Sequence, residues 1–190
     1  MIASPFPAPP VAVQQALALL DLVEGGDPAV LDELGDIADL PRPWLPGTCP
    51  PILRRQLWSW CDAVVTWINH DYAWRPASMI PACWPEHPHL AQELPALACL
   101  RAAAERAVTP DLLEDWHRYA LPTFLDRALS RLGESSCRTG KHTLWPAAAR
   151  FDADISDQAR RRRLTAFAVD THRPPPDLSP ARAQANPSPL

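Results

Sequence analysis

Four residues of this chain carry soft metal-binding side chains and fall into two short pairs, Cys83 with His87 and Cys137 with His142. Thiolate and imidazole are the ligands of tetrahedral zinc, and two of each complete a closed four-coordinate set. The spacings, Cys-x-x-x-His and Cys-x-x-x-x-His, are looser than the Cys-x-x-Cys pairs of zinc ribbons and fingers. Zinc is therefore one reading of these residues. Buried thiols and a helix-opening histidine that need no ion are the other. Cys83 opens the heptapeptide Cys83-Trp84-Pro85-Glu86-His87-Pro88-His89, the stretch densest in ligand types. A metal would explain how so proline-rich a loop is held.

Other chemical patterns are weaker. Two Glu-x-x-His tetrads occur, Glu86/His89 and Glu114/His117. Paired tetrads hold two metals in four-helix bundles, but that site also needs a Glu from each of two further helices, and Pro88 interrupts the first tetrad. Gly140-Lys141-His142-Thr143 fails as a phosphate loop. Ser135 stands where the pattern needs Gly, and His142 stands where it needs Ser or Thr. GxGxxG, GxSxG and HExxH are absent. Asp115, His117, Arg118 and Tyr119 would meet Asn69, His70, Asp71, Tyr72 and Arg75 if two helix ends converge. That meeting would make either a polar pocket with acid–base capacity or a hydrogen-bonded joint. No nucleophile is specified, so the chain reads as non-catalytic.

The elements that position these residues follow from proline and glycine. The chain has 190 residues, with 24 Pro against 6 Gly. Few glycines disfavour the positive-φ turns of hairpin-rich β proteins, while many prolines open and stop helices. The expectation is an all-α, irregular domain of five to seven helices with Pro-rich connectors. Residues 1–10 read as a disordered leader. Residues 11–155 read as the helical domain, in which 11–40 form an acidic helical hairpin and 52–132 a Trp-rich core. Residues 156–190 read as an arginine-containing, Pro-rich and mostly disordered tail.

Within the domain, Val13, Ala16, Leu17, Leu20 and Val23 share one helical face. Asp27-Pro28 starts a second helix expected to reach about Leu40. The strongest periodicity runs from Ile52 to about Tyr72 through Leu53, Leu57, Trp60, Cys61, Val64, Trp67 and Ile68. Trp60, Trp67 and Trp74 fall seven apart and share a face if that helix is long enough. Trp58 lies off the face and is the best candidate for an exposed indole. Helices are expected from about Glu86 or His89 to Ala107, kinked or restarted at Pro95, and from Thr109-Pro110 to Leu132, bent at Pro122.

Charge is uneven. Residues 1–41 carry seven acids and no Lys, Arg or His, and the net charge of the chain is −4. Asp32, Glu33 and Asp36 lie on the outer side of the acidic hairpin. Arg160, Arg161, Arg162 and Arg163 form a run that acids nearby partly neutralise, so a solvated helix face is its plain reading. Docking of that run on the acidic hairpin, or on phosphates, is the functional alternative. No apolar run is long enough to span a membrane. The start lacks a secretory pattern, and five widely spaced cysteines read as reduced thiols, which places the chain in the cytoplasm. The preference for Arg over Lys, with abundant Ala and Pro, suggests a GC-rich bacterial genome.

The pattern Trp-x-x-His-Pro, then Leu-spaced helix positions, then Asp-Trp and Leu, resembles a domain family of unknown function found in actinobacterial chromosomes, plasmids and phages. The matching residues are Trp84, His87, Pro88, Leu94, Leu97, Ala104, Asp115, Trp116 and Leu121, within 84–125. Pro95, Pro122 and the acidic hairpin depart from it. The resemblance implies an accessory protein of mobile elements and carries no catalytic residues. The leading functional expectation is an interaction or adaptor protein with a protein partner, using Trp58, Arg160–Arg163 and the acids Asp32, Glu33 and Asp36. A nucleic-acid-associated regulator and a small zinc-stabilised helical protein are the alternatives.

Overall fold

The protein is described from a computed structural model, covering residues 4–26, 28–34, 36–133, 137, 141–142 and 147–172. Two units pack separately, residues 1–143 and 144–190. Among the described residues there are helices and turns and no strand, as the Pro-to-Gly imbalance predicts. The first unit contains α1 (Val11–Glu24), α2 (Pro28–Leu34), α3 (Pro51–Asp71), α4 (Pro88–Arg106), α5 (Asp111–Asp115) and α6 (Leu121–Leu132). The second contains α7 (Ala148–Asp154) and α8 (Asp157–Thr171), which pack on each other.

α4 is the central element of the first unit. It packs against α3 on one side and against α5 and α6 on the other, while α1 covers α3. Its buried face carries Leu90, Leu94, Leu97, Ala98 and Ala102, and Pro95 is buried within it. α3 buries Leu57, Trp60, Cys61, Val64 and Ile68 against these residues. Burying large side chains of this kind contributes about 1.5–3 kcal/mol each, so the α3–α4 interface is the main source of stability.

The extended N-terminal segment belongs to the core, against the expectation of a disordered leader. Phe6 is only 7% exposed and packs edge-on against Trp60 and Trp67. Trp60 donates its indole N–H to the Pro7 carbonyl (2.8 Å), and Trp67 donates to the Ser4 carbonyl (3.1 Å). Indole N–H groups at a buried surface need acceptors. A proline-stiffened extended segment has no internal hydrogen bonds, so its carbonyls are free to accept. Gln56 on α3 accepts the Ala12 N–H (2.9 Å), capping α1, which has no side-chain cap of its own.

Several boundaries differ from the sequence expectation. α2 ends at Leu34, because the Asp36 side chain accepts the Ala38 N–H (2.8 Å) and caps a separate short turn, Ile37–Asp39. α3 stops at Asp71, so Trp74 never joins the face of Trp60 and Trp67 and is 93% exposed. Trp58, expected outside, is half-buried against the core and tilts onto Trp84 with centroids 5.9 Å apart. α8 (Asp157–Thr171) is the helix that the sequence allows over 157–169 within the otherwise disorder-prone tail. The expected disorder beyond residue 172 lies outside the described residues.

The helix from Asp111 to Leu132 is one rod with a wider turn inside it. Residues Trp116–Ala120 form a π-turn, in which Leu121 N–H bonds the Trp116 carbonyl. Pro122 follows immediately. Its ring would collide with the carbonyl four residues back in a regular helix, and a widened turn relieves that collision. The expected bend at Pro122 is therefore taken up one turn earlier. Pro95, in contrast, sits inside an uninterrupted α4. No helix among the described residues is long and apolar enough to cross a membrane.

Candidate metal centre

The loop between α3 and α4 is built by prolines and pinned by Asn69. The Asn69 amide donates to the Ile80 carbonyl (2.9 Å) and accepts the Ile80 N–H (2.8 Å). Pro81 and Pro85 then shape a single 3-10 turn, Trp84–Glu86, in which Glu86 N–H bonds the Cys83 carbonyl and His87 N–H bonds the Trp84 carbonyl. Trp84 is buried and directs its indole N–H toward Asp62 Oδ1 (3.5 Å). His87 closes the turn and caps α4 with its backbone carbonyl, which accepts from Ala91 N (3.0 Å).

This turn brings Cys83 and His87 onto one side. Cys83 Sγ lies 3.3 Å from His87 Nε2. Cys137 is buried, and its Sγ lies 3.9 Å from His142 Nδ1. The His87 and His142 rings lie 5.4 Å apart, centroid to centroid. One ligand atom from each of Cys83, His87, Cys137 and His142 lies within 4.8 Å of all the others. The two pairs noted in the sequence therefore converge, and they form the only such group of three or more among the described residues.

The donor set fits zinc in type and nearly in size. Zinc–sulfur bonds of about 2.3 Å and zinc–nitrogen bonds of about 2.0 Å set tetrahedral ligand atoms about 3.3–3.8 Å apart. The 3.3 Å and 3.9 Å separations lie at that span, and the widest pair closes by about an ångström. Burial, then the neighbouring Cys137, pushes the Cys83 thiol up. Burial, then the neighbouring His142, pushes His87 down, so its imidazole is neutral and able to ligate. With four protein ligands there is no open coordination position, which is the arrangement of a structural rather than a catalytic zinc.

Glu86 was placed by the sequence in a tetrad with His89. In the structure it contacts His142 instead, with Oε2 3.3 Å from Nε2. The only signal for this in the sequence is that Glu86 lies between two candidate ligands. The second tetrad is a surface pair, Glu114 with Arg118. The two tetrads do not meet in a metal-binding group.

The helix ends carrying Tyr72 and His117 do converge. Tyr72 packs on Trp116 and His117 at 5.8 Å and 5.9 Å. Asn69, however, is committed to Ile80, and His70 pairs with Asp71, so this is a joint rather than a polar pocket. Arg101 was not singled out by sequence. It enters the aromatic cluster, with its guanidinium carbon 5.0 Å from the Phe6 ring centroid and 5.7 Å from that of Trp116, and pairs with Glu105.

Of the expected contact residues, Asp32, Asp36 and Arg160, Arg161, Arg162 and Arg163 are exposed. The Glu33 side chain lies outside the described ones. Arg163 bonds the Asp154 carbonyl (2.7 Å) within the second unit. The chain matches no family model, no curated protein and no solved structure.

Proposed function

We propose that this is a zinc-stabilised helical protein, in which Cys83, His87, Cys137 and His142 hold one structural zinc. The observation that carries the reading is the convergence of four ligand atoms from two distant stretches within 4.8 Å. The ion fastens the residues around Cys137 and His142 to the turn that opens α4. It takes the place of the larger core that a Pro-rich loop cannot build. Thiolate ligands of this kind fit a reducing compartment.

The test is elemental mass spectrometry of the untagged protein after exposure to zinc and removal of the excess, read with thermal unfolding. One tightly held zinc per chain is expected, and it is lost in Cys83→Ser and His87→Ala. At free zinc about 100 times Kd the folded state gains about 2.7 kcal/mol, which chelation removes. A wild-type protein that retains no zinc, or whose melting ignores it, defeats the reading.

A second reading concerns what the stabilised domain does. We infer an interaction or adaptor role, set in the mobile-element context that the Trp84–Leu121 pattern resembles. It is supported by a groove of about 560 Å³ between α4 and the α5–α6 rod, lined by Leu97, Leu100, Leu112, Trp116, Tyr119 and Phe124. Leu100, Leu112 and Tyr119 are exposed along it, and a continuous apolar face of this kind suits a partner helix. Leu100→Asp with Leu112→Asp is expected to abolish capture of a defined partner while leaving zinc content unchanged. Unaltered capture counts against the groove.

A further inference from the structure

The turn Trp84–Glu86 sits between two of the four ligands, and Glu86 projects from it toward a third. His142 faces Cys137 Sγ with Nδ1 and Glu86 Oε2 with Nε2. His87 differs, because its Nε2 faces Cys83 Sγ. The two histidines therefore present opposite nitrogens to the centre of the cluster. We infer, building on the zinc reading above, that Glu86 is a positioning residue for the metal. Its carboxylate accepts the Nε2–H of His142, which fixes the tautomer that leaves the Nδ1 lone pair for the ion. His87 ligates through Nε2.

The reasoning is geometric. A neutral imidazole carries one proton, and only the other nitrogen can donate a lone pair to a metal. His142 is the exposed member of the four ligands, so its ring orientation is the least constrained by packing. A carboxylate on its outer nitrogen supplies the missing constraint and makes the ring a stronger donor. Glu86 is 62% exposed. Among the described residues its one ion pair is with His142, so its removal leaves the core intact. An ordinary surface ion pair would leave zinc affinity unaffected.

Two measurements on the full chain decide the matter. Zinc affinity is read by competition with a chromophoric chelator for wild type, Glu86→Gln and Glu86→Ala. Glu86→Ala is expected to weaken zinc binding about tenfold, the lower end of what outer-sphere partners of metal ligands contribute. Glu86→Gln, which keeps an acceptor oxygen, is expected to recover part of the loss. Long-range proton–nitrogen NMR of the zinc-loaded wild type should then show His142 protonated at Nε2 with Nδ1 on the metal, and His87 the reverse. Wild-type affinity in Glu86→Ala, or a His142 bound through Nε2, overturns the role of Glu86 and leaves the zinc centre standing. A wild type that binds no zinc overturns both.

Discussion

Phe6 meets Trp67 edge-on, with ring centroids 5.2 Å apart and planes 77° to each other. Through this contact the extended N-terminal segment closes over the middle of α3. Phe6→Ala is expected to cost about 3 kcal/mol, since it empties a buried aromatic site. Removal of residues 1–9 should cost more, because Trp60 and Trp67 then lose their carbonyl acceptors as well. Denaturant unfolding followed by tryptophan fluorescence checks both. Truncation without loss of stability would return the segment to the status of a leader.

Among the described residues, most tryptophans pack into the fold and Trp74 does not. Trp116 is buried and donates to the Leu97 carbonyl (3.1 Å), joining the α5–α6 rod to α4. Trp116→Phe removes that hydrogen bond and part of a buried side chain, and is expected to cost about 2 kcal/mol. Trp74→Ala, at a fully solvated site, should change stability by less than about 0.5 kcal/mol. Equal effects in thermal unfolding would mean that the face of α3 is wrongly assigned.

Asn69 links the fold to the candidate metal centre. Both of its hydrogen bonds go to Ile80, three residues before Cys83. Asn69→Ala is expected to cost about 2 kcal/mol by leaving the Ile80 N–H and C=O unpaired. It should also weaken zinc binding, since the turn carrying Cys83 and His87 loses its anchor. Lower stability with unchanged zinc affinity would show that the ion alone organises the turn.

Acid sensitivity should pass through Glu93. Burial pushes its carboxyl up, but hydrogen bonds from Arg127 and Arg131 outweigh this and hold it below its ordinary value of 4.5. A carboxylate lowered in the folded state adds stability above its unfolded pKa and loses it as pH falls through the folded value. The contribution is therefore complete above pH 4.5 and fades below it. Glu93→Gln should be about 1 kcal/mol less stable at pH 7, a modest figure for a partly solvated ion pair. The gap from wild type should narrow in acid. A constant gap across the titration would exclude the carboxylate as its source.

How far the sequence could be read depends on which physics was local. Helix α3 announced itself because Leu53, Leu57, Trp60, Val64 and Ile68 repeat at helical spacing, and the period survives without neighbours. The four candidate ligands could be named as types, but their convergence depends on a turn set by Pro81, Pro85 and the Asn69 bridge. None of these has a ligand signature. Phe6 was missed for a related reason. A short proline-rich stretch has no period, and the indoles that bind it lie far along the chain. Trp58 and Trp74 were exchanged in role because the end of α3 at Asp71, rather than residue spacing, decides which indole is covered. The Glu86–His142 contact had no sequence signal beyond the place of Glu86 between Cys83 and His87, because His142 lies far along the chain.

The widened turn at Trp116–Ala120 constrains how this chain can change over time. The turn holds one residue more than a regular helix would, and it places Trp116 and Leu121, five apart, on the same buried side. Deleting one residue there would restore an ordinary helix but drive the ring of Pro122 into the preceding turn. Replacing Pro122 alone would remove the reason for the bulge while leaving its extra residue in place. Each step is disfavoured singly and tolerable when both occur, so the pair is an instance of strong coupling between neighbouring sites. Descendants of this sequence are expected to keep Pro122 and the length of the turn together or to lose them together.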